Sequence, residues 1–120
     1  MDCLFCKIGS GEVSSEIIYE DDSVKAFKDI KPSAPVHYLI IPKKHITSVV
    51  DLKESDSALM MQLILTAQRL AGEAGLLGYR LVFNVGREGG QVIDHLHLHL
   101  LGGWNDDNSL FGVRHPRLDK

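Results

Sequence analysis

Three histidines alternate with leucines in the segment His95–Leu101. Successive side chains of a β-strand point to opposite faces, so the imidazoles would share one face and the leucines would pack a core on the other. Because histidine titrates close to neutral pH, two neighbouring imidazoles suit a nucleophile and its proton-transfer partner. Same-face neighbours lie roughly 6.6 Å apart, so His95 and His99 would be about 13 Å apart, too far for one zinc ion with ligands at about 2 Å. The histidines must therefore divide between tasks.

Plainer interpretations of this strand stay open. In the first, the histidines are only the solvent-facing side of an amphipathic strand. In the second, they form a tract that only scavenges metal. Just upstream, Gly89-Gly90-Gln91 would allow close main-chain approach to a ligand, with amides available for an anion. The plainer interpretation of those glycines is a hairpin turn.

A second candidate cluster begins near the N-terminus, at Cys3 and Cys6. Two intervening residues are the spacing at which one turn of chain brings two thiolates to one metal ion. Two buried free cysteines are the alternative. A redox pair is less favoured, because no thioredoxin-like βαβ pattern follows.

The elements that must position these residues follow from apolar periodicity and turn residues. The pattern predicts a short helical turn over residues 3–9, two strands within 17–27 joined at 20–22, and strands over 36–41, 79–85 and 92–101. It also predicts one long helix between 51 and 75, with Ser55 or Asp56 as the cap at its start. A rigid loop over 31–35 contains two prolines. Strands around one long helix, without βαβ alternation, predict an α+β fold with an antiparallel sheet.

Composition limits the class of protein. The 120 residues are 44% hydrophobic and 24% charged, which predicts a single domain with one core and excludes disorder and a disulfide scaffold. The formal net charge of −3 argues against broad binding to nucleic acid or acidic membranes. No apolar run approaches the roughly 20 residues of a membrane helix and no signal-peptide pattern is visible, so the cytoplasm is expected.

The wider chain resembles a known family. His95–Leu101 resembles the signature of the histidine triad (HIT) superfamily. Further segments resemble its HINT branch, the histidine triad nucleotide-binding proteins: 26–30, 34–37, 41–45, 78–80, 84–86, 89–91 and 102–103. The resemblance covers about residues 3–103. It implies a single HIT domain over 1–120, with a tail from 104 to 120, that forms a homodimer and hydrolyses purine nucleoside 5′-phosphoramidates.

The resemblance also assigns catalytic roles. His97 matches the nucleophile that attacks the α-phosphorus and forms a nucleotidyl-histidine intermediate. His99 matches the histidine that contacts the phosphate and helps proton transfer to the leaving amine. His37 matches a further histidine that supports this network, although the residues alone favour an ordinary histidine beside a strand.

Substrate contacts are implied in the same way. Asn84 and the main chain around Gly90 and Gln91 match positions that contact the phosphate, and Asp29 matches the carboxylate that accepts hydrogen bonds from both ribose hydroxyls. The apolar slot for the base would consist of Leu4, Phe5, Ile8, Phe27 and Ile30.

Two features depart from the branch. Val92 stands where many HINT proteins have a serine that contacts the phosphate, so one hydrogen bond would be missing and activity reduced. The tail after Gly103 is also unusual, which leaves the preferred amine leaving group open.

Some HIT proteins and the related uridylyltransferases complete a cysteine pair with two histidines. The matching positions here imply a structural zinc site formed by Cys3, Cys6, His45 and His95, with no cofactor needed for the chemistry.

Other functions share parts of this pattern. Hydrolysis of dinucleoside polyphosphates, as in the Fhit-like branch, uses the same triad, although Gly102-Gly103 favours HINT. Nucleotidyl transfer is disfavoured because the uridylyltransferase branch has glutamine at the position of His99. A nucleotide-binding interaction module with weak hydrolysis also stays open.

Overall fold

The computed structural model describes residues 3–104 of the 120-residue chain. Its helices and strands are α1 (Leu4–Ser10), β1 (Ile17–Glu20), β2 (Val24–Lys28), β3 (Val36–Pro42), α2 (Ser57–Glu73), β4 (Tyr79–Val82) and β5 (Leu98–Gly102). The strands form one sheet in the order β1-β2-β3-β5-β4, and every neighbouring pair is antiparallel. The α+β prediction is confirmed. The tail beyond Trp104 lies outside the described residues.

The alternation of side chains divides the sheet into two apolar faces. On one face, Leu96, Leu98 and Leu100 pack in a buried cluster with α2 residues such as Leu63 and Leu70. The other face carries a smaller cluster, in which α1 packs on the sheet; its buried members are Cys3, Phe5, Ile8, Phe27, Leu39 and Ile41. Phe5 of this second cluster contacts the rings of His95 and His97, so the predicted separation of leucines from histidines is confirmed.

The last strand is shorter than the pattern predicts. It begins at Leu98 rather than 92, because the chain before it bonds to the last residue of β3 and to the segment that follows, instead of continuing the ladder. The Leu96 N–H donates to the Ile46 carbonyl at 2.6 Å, and Nε2 of His95 donates to the Pro42 carbonyl at 2.8 Å. Its neighbour β4 correspondingly ends at Val82, opposite His99, rather than at 85.

The long helix begins at Ser57 with Asp56 as its N-cap, which is one of the two predicted caps, and the first residues of the range 51–75 lie outside the helix. The Ser48 hydroxyl accepts from the Val50 N–H and stabilises a separate 3-10 turn. The Asp56 carboxylate accepts from the Lys53 N–H and closes a second one. Across residues 3–104, neither helix combines the length and apolar character that crossing a membrane requires.

Candidate functional site

A cavity of about 590 Å³ lies between α1 and the sheet face that carries the histidines. Its predicted lining residues are Leu4, Phe5, Ile8, Phe27, Asp29, Ile30, Val92, His97 and His99. Sequence reasoning did not single out the remaining ones, which are Val13, Ser14, Ser15, Lys28, Lys31, Ser33, Leu39 and Ile93. They lie in loops and in the core, and apart from Lys28 none of them belongs to a sequence pattern that marks a functional site. The predicted contacts Asn84, Gly90 and Gln91 do not line this cavity, and their phosphate contacts stay predictions.

His97 lines the cavity, and a hydrogen bond fixes its ring. Its Nδ1 lies 2.7 Å from the main-chain carbonyl of His95. A carbonyl only accepts, so Nδ1 carries a hydrogen, and whenever the ring is neutral its lone pair is on Nε2. The ring is buried and contacts Phe5 edge-on, with ring centroids 5.1 Å apart. Packing and hydrogen bonding thus hold this nitrogen ready to attack an electrophile.

His99 and His37 form a buried pair beside His97. The ring centroids of His97 and His99 are 5.0 Å apart. On the other side, Nδ1 of His99 lies 2.9 Å from Nε2 of His37, which in turn lies 3.5 Å from Oδ2 of Asp29. The β3–β5 register explains the contact, because Leu39 faces His99 across the ladder and His37 lies two residues earlier on the same face. The sheet therefore places the imidazoles of His97, His99 and His37 in one buried row.

The loop after β2 shapes the polar wall of the cavity. Oδ1 of Asp29 accepts from the Lys31 N–H at 2.8 Å, and the Asp29 N–H donates to the His37 carbonyl at 3.1 Å. The Ser33 N–H donates to Nδ1 of His37 at 2.9 Å. These bonds close residues 29–37 on themselves and hold the Asp29 carboxylate at the cavity.

The glycine-rich turn before the histidines is braced by Gln91. This side chain is 2% exposed; its Nε2 donates to the Thr47 and Ile93 carbonyls, at 2.7 and 3.0 Å. Its Oε1 accepts from the Gly86 N–H at 2.9 Å. Gly86 and Gly90 have φ values of +70° and +91°, which glycine adopts without a Cβ penalty. The Gln91 side chain thus holds the turn in the conformation that brings the next two residues to the cavity.

A second cluster joins the two cysteines to two histidines. One ligand atom from each of Cys3, Cys6, His45 and His95 lies within 4.8 Å of the others. The sulfur–nitrogen distances are 3.3 Å (Cys3–His95), 3.2 Å (Cys6–His45) and 3.4 Å (Cys6–His95), and the two Nδ1 atoms are 3.2 Å apart. In a tetrahedral zinc site, bond lengths near 2.3 Å to sulfur and 2.05 Å to nitrogen separate S–N pairs by about 3.5 Å and N–N pairs by about 3.3 Å. The four donors therefore fit a zinc ion.

The protonation of His95 suits the same role. Burial lowers the pKa of His95, so the ring is neutral. Its Nε2 hydrogen is donated to the Pro42 carbonyl, which leaves the Nδ1 lone pair directed at the sulfurs. Burial, with the neighbouring Cys3 thiol, raises the pKa of Cys6 to about 11. A bound cation would reverse that shift, because it ligates the thiolate.

Comparison with known proteins agrees with this geometry. The family model described as the HIT domain matches residues 10–106. A purine nucleoside phosphoramidase of Escherichia coli K12 is 44% identical over 102 residues, which are 83% of this chain and 86% of that protein. An uncharacterized HIT-like protein of Synechococcus elongatus is 47% identical over 103 residues, covering 85% of this chain and 90% of that one.

Solved structures give the same result. A HIT family hydrolase from Legionella pneumophila superposes with a TM-score of 0.85 at 51% identity, covering 87% of this chain and 95% of that one. A histidine triad protein from Clostridium difficile superposes with a TM-score of 0.85 at 42% identity, covering 90% and 96%. The fold, the buried histidines and the match over nearly the whole length lead to one conclusion: this chain belongs to the HIT family.

Proposed function

We propose that this protein hydrolyses purine nucleoside 5′-phosphoramidates. The observation that carries the proposal is the bond of 2.7 Å from Nδ1 of His97 to the His95 carbonyl, which fixes the ring at the wall of a nucleotide-sized cavity and leaves Nε2 as the nitrogen for attack. The named activity of the E. coli relative, at 44% identity, supports the same substrate class.

In the proposed reaction, Nε2 of His97 attacks the α-phosphorus and the P–N bond breaks. The nitrogen takes the bond electrons and a proton, donated from His99, and leaves as an amine. A water molecule then attacks the phosphorus of the nucleotidyl-histidine and gives a proton back to His99; the bond from phosphorus to Nε2 breaks, which releases a nucleoside monophosphate and restores His97. Covalent catalysis of this kind replaces one difficult displacement by two easier ones.

The walls of the cavity suggest how the nucleoside lies. The Asp29 carboxylate is the cavity's one acidic side chain among the described residues and would accept hydrogen bonds from the ribose hydroxyls. The buried rings of Phe5 and Phe27 meet edge to face, 5.5 Å apart, and form an apolar surface for the base. Leu4 and Ile30, 49% and 89% exposed, would form its rim. Val92, 58% exposed, offers the phosphate no hydrogen bond.

Zinc is proposed for the second cluster. Cys3, Cys6, His45 and His95 would hold the ion, which would supply a cross-link between α1 and the segments after β3 and before β5. With four protein ligands it would have no open position for substrate, as in structural zinc sites. The reaction steps above therefore use only the side chains of the cavity.

A homodimer is also proposed. Within residues 3–104, β4 is an edge strand with no neighbour on its outer side, and Tyr79 and Leu81 on it are 38% and 39% exposed. The outer side of α2 exposes Met61 and Leu65 as well. Apolar side chains on an open sheet edge suit pairing with a second copy. Light scattering should give the mass of two chains, and a single-chain mass would contradict the proposal. A cytoplasmic location stays a prediction.

The test of the activity compares two substrates and one variant. Wild type should cleave adenosine 5′-phosphoramidate faster than diadenosine tetraphosphate, and His97→Ala should abolish turnover. Calorimetry with AMP is the control, because His97→Ala should fold and still bind the product. Preference for the dinucleotide would replace the proposal by the Fhit-like activity. Binding of AMP without turnover of either substrate would leave a nucleotide-binding module.

A further inference from the structure

We infer that the main-chain N–H of Ser33 is a positioning group, which sets the direction of the hydrogen bonds through His37 and His99. By fixing both tautomers, it places a hydrogen on Nε2 of His99, a residue that lines the cavity. The consequence for turnover rests on the proposed function, but the assignment of the tautomers does not.

The first step concerns His37. A main-chain amide only donates, and the Ser33 nitrogen lies 2.9 Å from Nδ1 of His37. Nδ1 must therefore carry a lone pair, and the neutral ring has its hydrogen on Nε2. The Asp29 carboxylate agrees with this, because its Oδ2 is an acceptor 3.5 Å from the same nitrogen.

The second step concerns His99, whose tautomer depends on that of His37. Nε2 of His37 lies 2.9 Å from Nδ1 of His99 and donates its hydrogen to it. His99 then carries its own hydrogen on Nε2, the nitrogen on the far side of the ring. His99 lines the cavity beside His97, so an uncharged donor is held ready for the substrate without burying a net charge.

The same tautomers argue against a metal ion at this place. Ligand atoms of Asp29, His37 and His99 lie within 4.8 Å of one another, a spacing that a cation would fit. However, a metal bond to Nε2 of His37 needs a lone pair there while Nδ1 still accepts from Ser33. Both lone pairs exist together only in an imidazolate, so the group is a hydrogen-bond relay.

The loop explains why a main-chain group can have this role. Ser33 lies between Pro32 and Pro35, whose rings restrict φ. The Asp29 N–H bonds the His37 carbonyl and Oδ1 of Asp29 accepts from Lys31, so the loop is closed at its base. Any residue other than proline at position 33 supplies the required N–H. The residue type at position 33 therefore gives no indication of this group, which is identified from the fold.

A two-bond ¹⁵N–¹H correlation spectrum of ¹⁵N-histidine-labelled wild type reads the tautomers directly. We expect the hydrogen on Nε2 in both His37 and His99. A hydrogen on Nδ1 of His37 would overturn the inference. This result does not depend on any substrate, so it stands apart from the proposed activity.

The amide itself is tested by replacing Ser33 with its α-hydroxy acid, which exchanges the main-chain N–H for an ester oxygen. His37 should then carry its hydrogen on Nδ1, His99 should donate from Nδ1, and its Nε2 should lose the hydrogen. Turnover of adenosine 5′-phosphoramidate should show kcat lowered about 10²-fold or more, with KM little changed.

The matched control is an ester at Leu52, whose N–H donates to the Val49 carbonyl at 3.1 Å, away from the cavity residues. It should keep wild-type tautomers and turnover. If the ester at residue 33 also keeps the wild-type tautomers and wild-type turnover, the positioning role is refuted. If wild type itself cleaves no phosphoramidate, the proposed activity fails and the spectrum still decides the inference.

Discussion

Replacing Cys6 by serine should remove zinc from the second cluster. The sulfur–nitrogen distances of 3.2 to 3.4 Å are within a few tenths of an ångström of the tetrahedral values, so the donors need little rearrangement to bind. Cys6 is close to both histidines, and serine offers a harder, shorter side chain in its place. Loss of this one ligand should therefore leave the site with an incomplete ligand set, rather than move the ion to a new position.

The magnitude follows from linkage. A ligand that binds only the folded chain, at about a thousand times its dissociation constant, stabilises it by about 4 kcal/mol. For a domain of this length such a gain raises the thermal midpoint by roughly 15 °C. Wild type should lose that increment on chelation and regain it with zinc, whereas Cys6→Ser should melt at one temperature in both conditions.

The assay combines metal analysis with melting curves. Wild type purified without chelator should contain about one zinc per chain. Ser10→Ala is the matched control on the same helix, because its exposed hydroxyl bonds the Lys7 carbonyl and the Glu12 N–H within residues 3–104 and no ligand changes. A wild type without metal, or a Cys6→Ser variant that still gains stability from zinc, would refute the reasoning.

Two further predictions concern carboxylates. Asp29→Asn should weaken AMP binding about 10- to 150-fold, since hydrogen bonds to a charged group contribute about 1.5–3 kcal/mol. The control ligand 2′,3′-dideoxy-AMP, which has no ribose hydroxyls at these positions, should bind wild type and variant equally. If the variant binds AMP and the dideoxy nucleotide more weakly by the same factor, a ribose contact is excluded. The hydrogen bond from Lys44, with that from the Lys53 N–H, lowers the pKa of Asp56. The folded pKa is the lower one, so ionised Asp56 stabilises the fold above its unfolded pKa and this gain is lost as pH falls through the folded value. The melting temperature of Asp56→Asn should be lower than that of wild type at about pH 7, and the two should converge near about pH 2. A difference in melting temperature that stays constant with pH would contradict the linkage.

Local sequence patterns predicted the helices and strands, whereas long-range hydrogen bonds determined the residues at which they begin and end. The β1–β2 turn at 20–22 and the helix end near Gly75 carry strong local signals, and both hold. The Gly75 φ is +74°, and the Leu76 N–H reaches the Ala71 carbonyl. The start of β5 depends on the Leu96–Ile46 bond, which joins residues far apart in the chain. The position of β5 between β3 and β4 has no local signal for the same reason.

The candidate site divides in the same way. Side-chain chemistry marks His97, His99 and the cysteines, because few residue types can act as nucleophile or ligand. The Ser33 amide and Leu39 carry no such mark. A serine in a loop and a leucine in a strand are ordinary, and their role depends on what the sheet places beside them.

The two clusters share a helix that is too short to be stable alone. A seven-residue helix gains too few hydrogen bonds to offset its nucleation, so α1 depends on tertiary contacts at both ends. Its N-terminal end carries Cys3, and its C-terminal end is held by the buried Lys25, whose Nζ donates to the Ile8 carbonyl at 2.8 Å. Between these ends Phe5 contacts the rings of both His95 and His97. Zinc at the cysteines would therefore stabilise a wall of the reaction cavity while taking no step in the reaction.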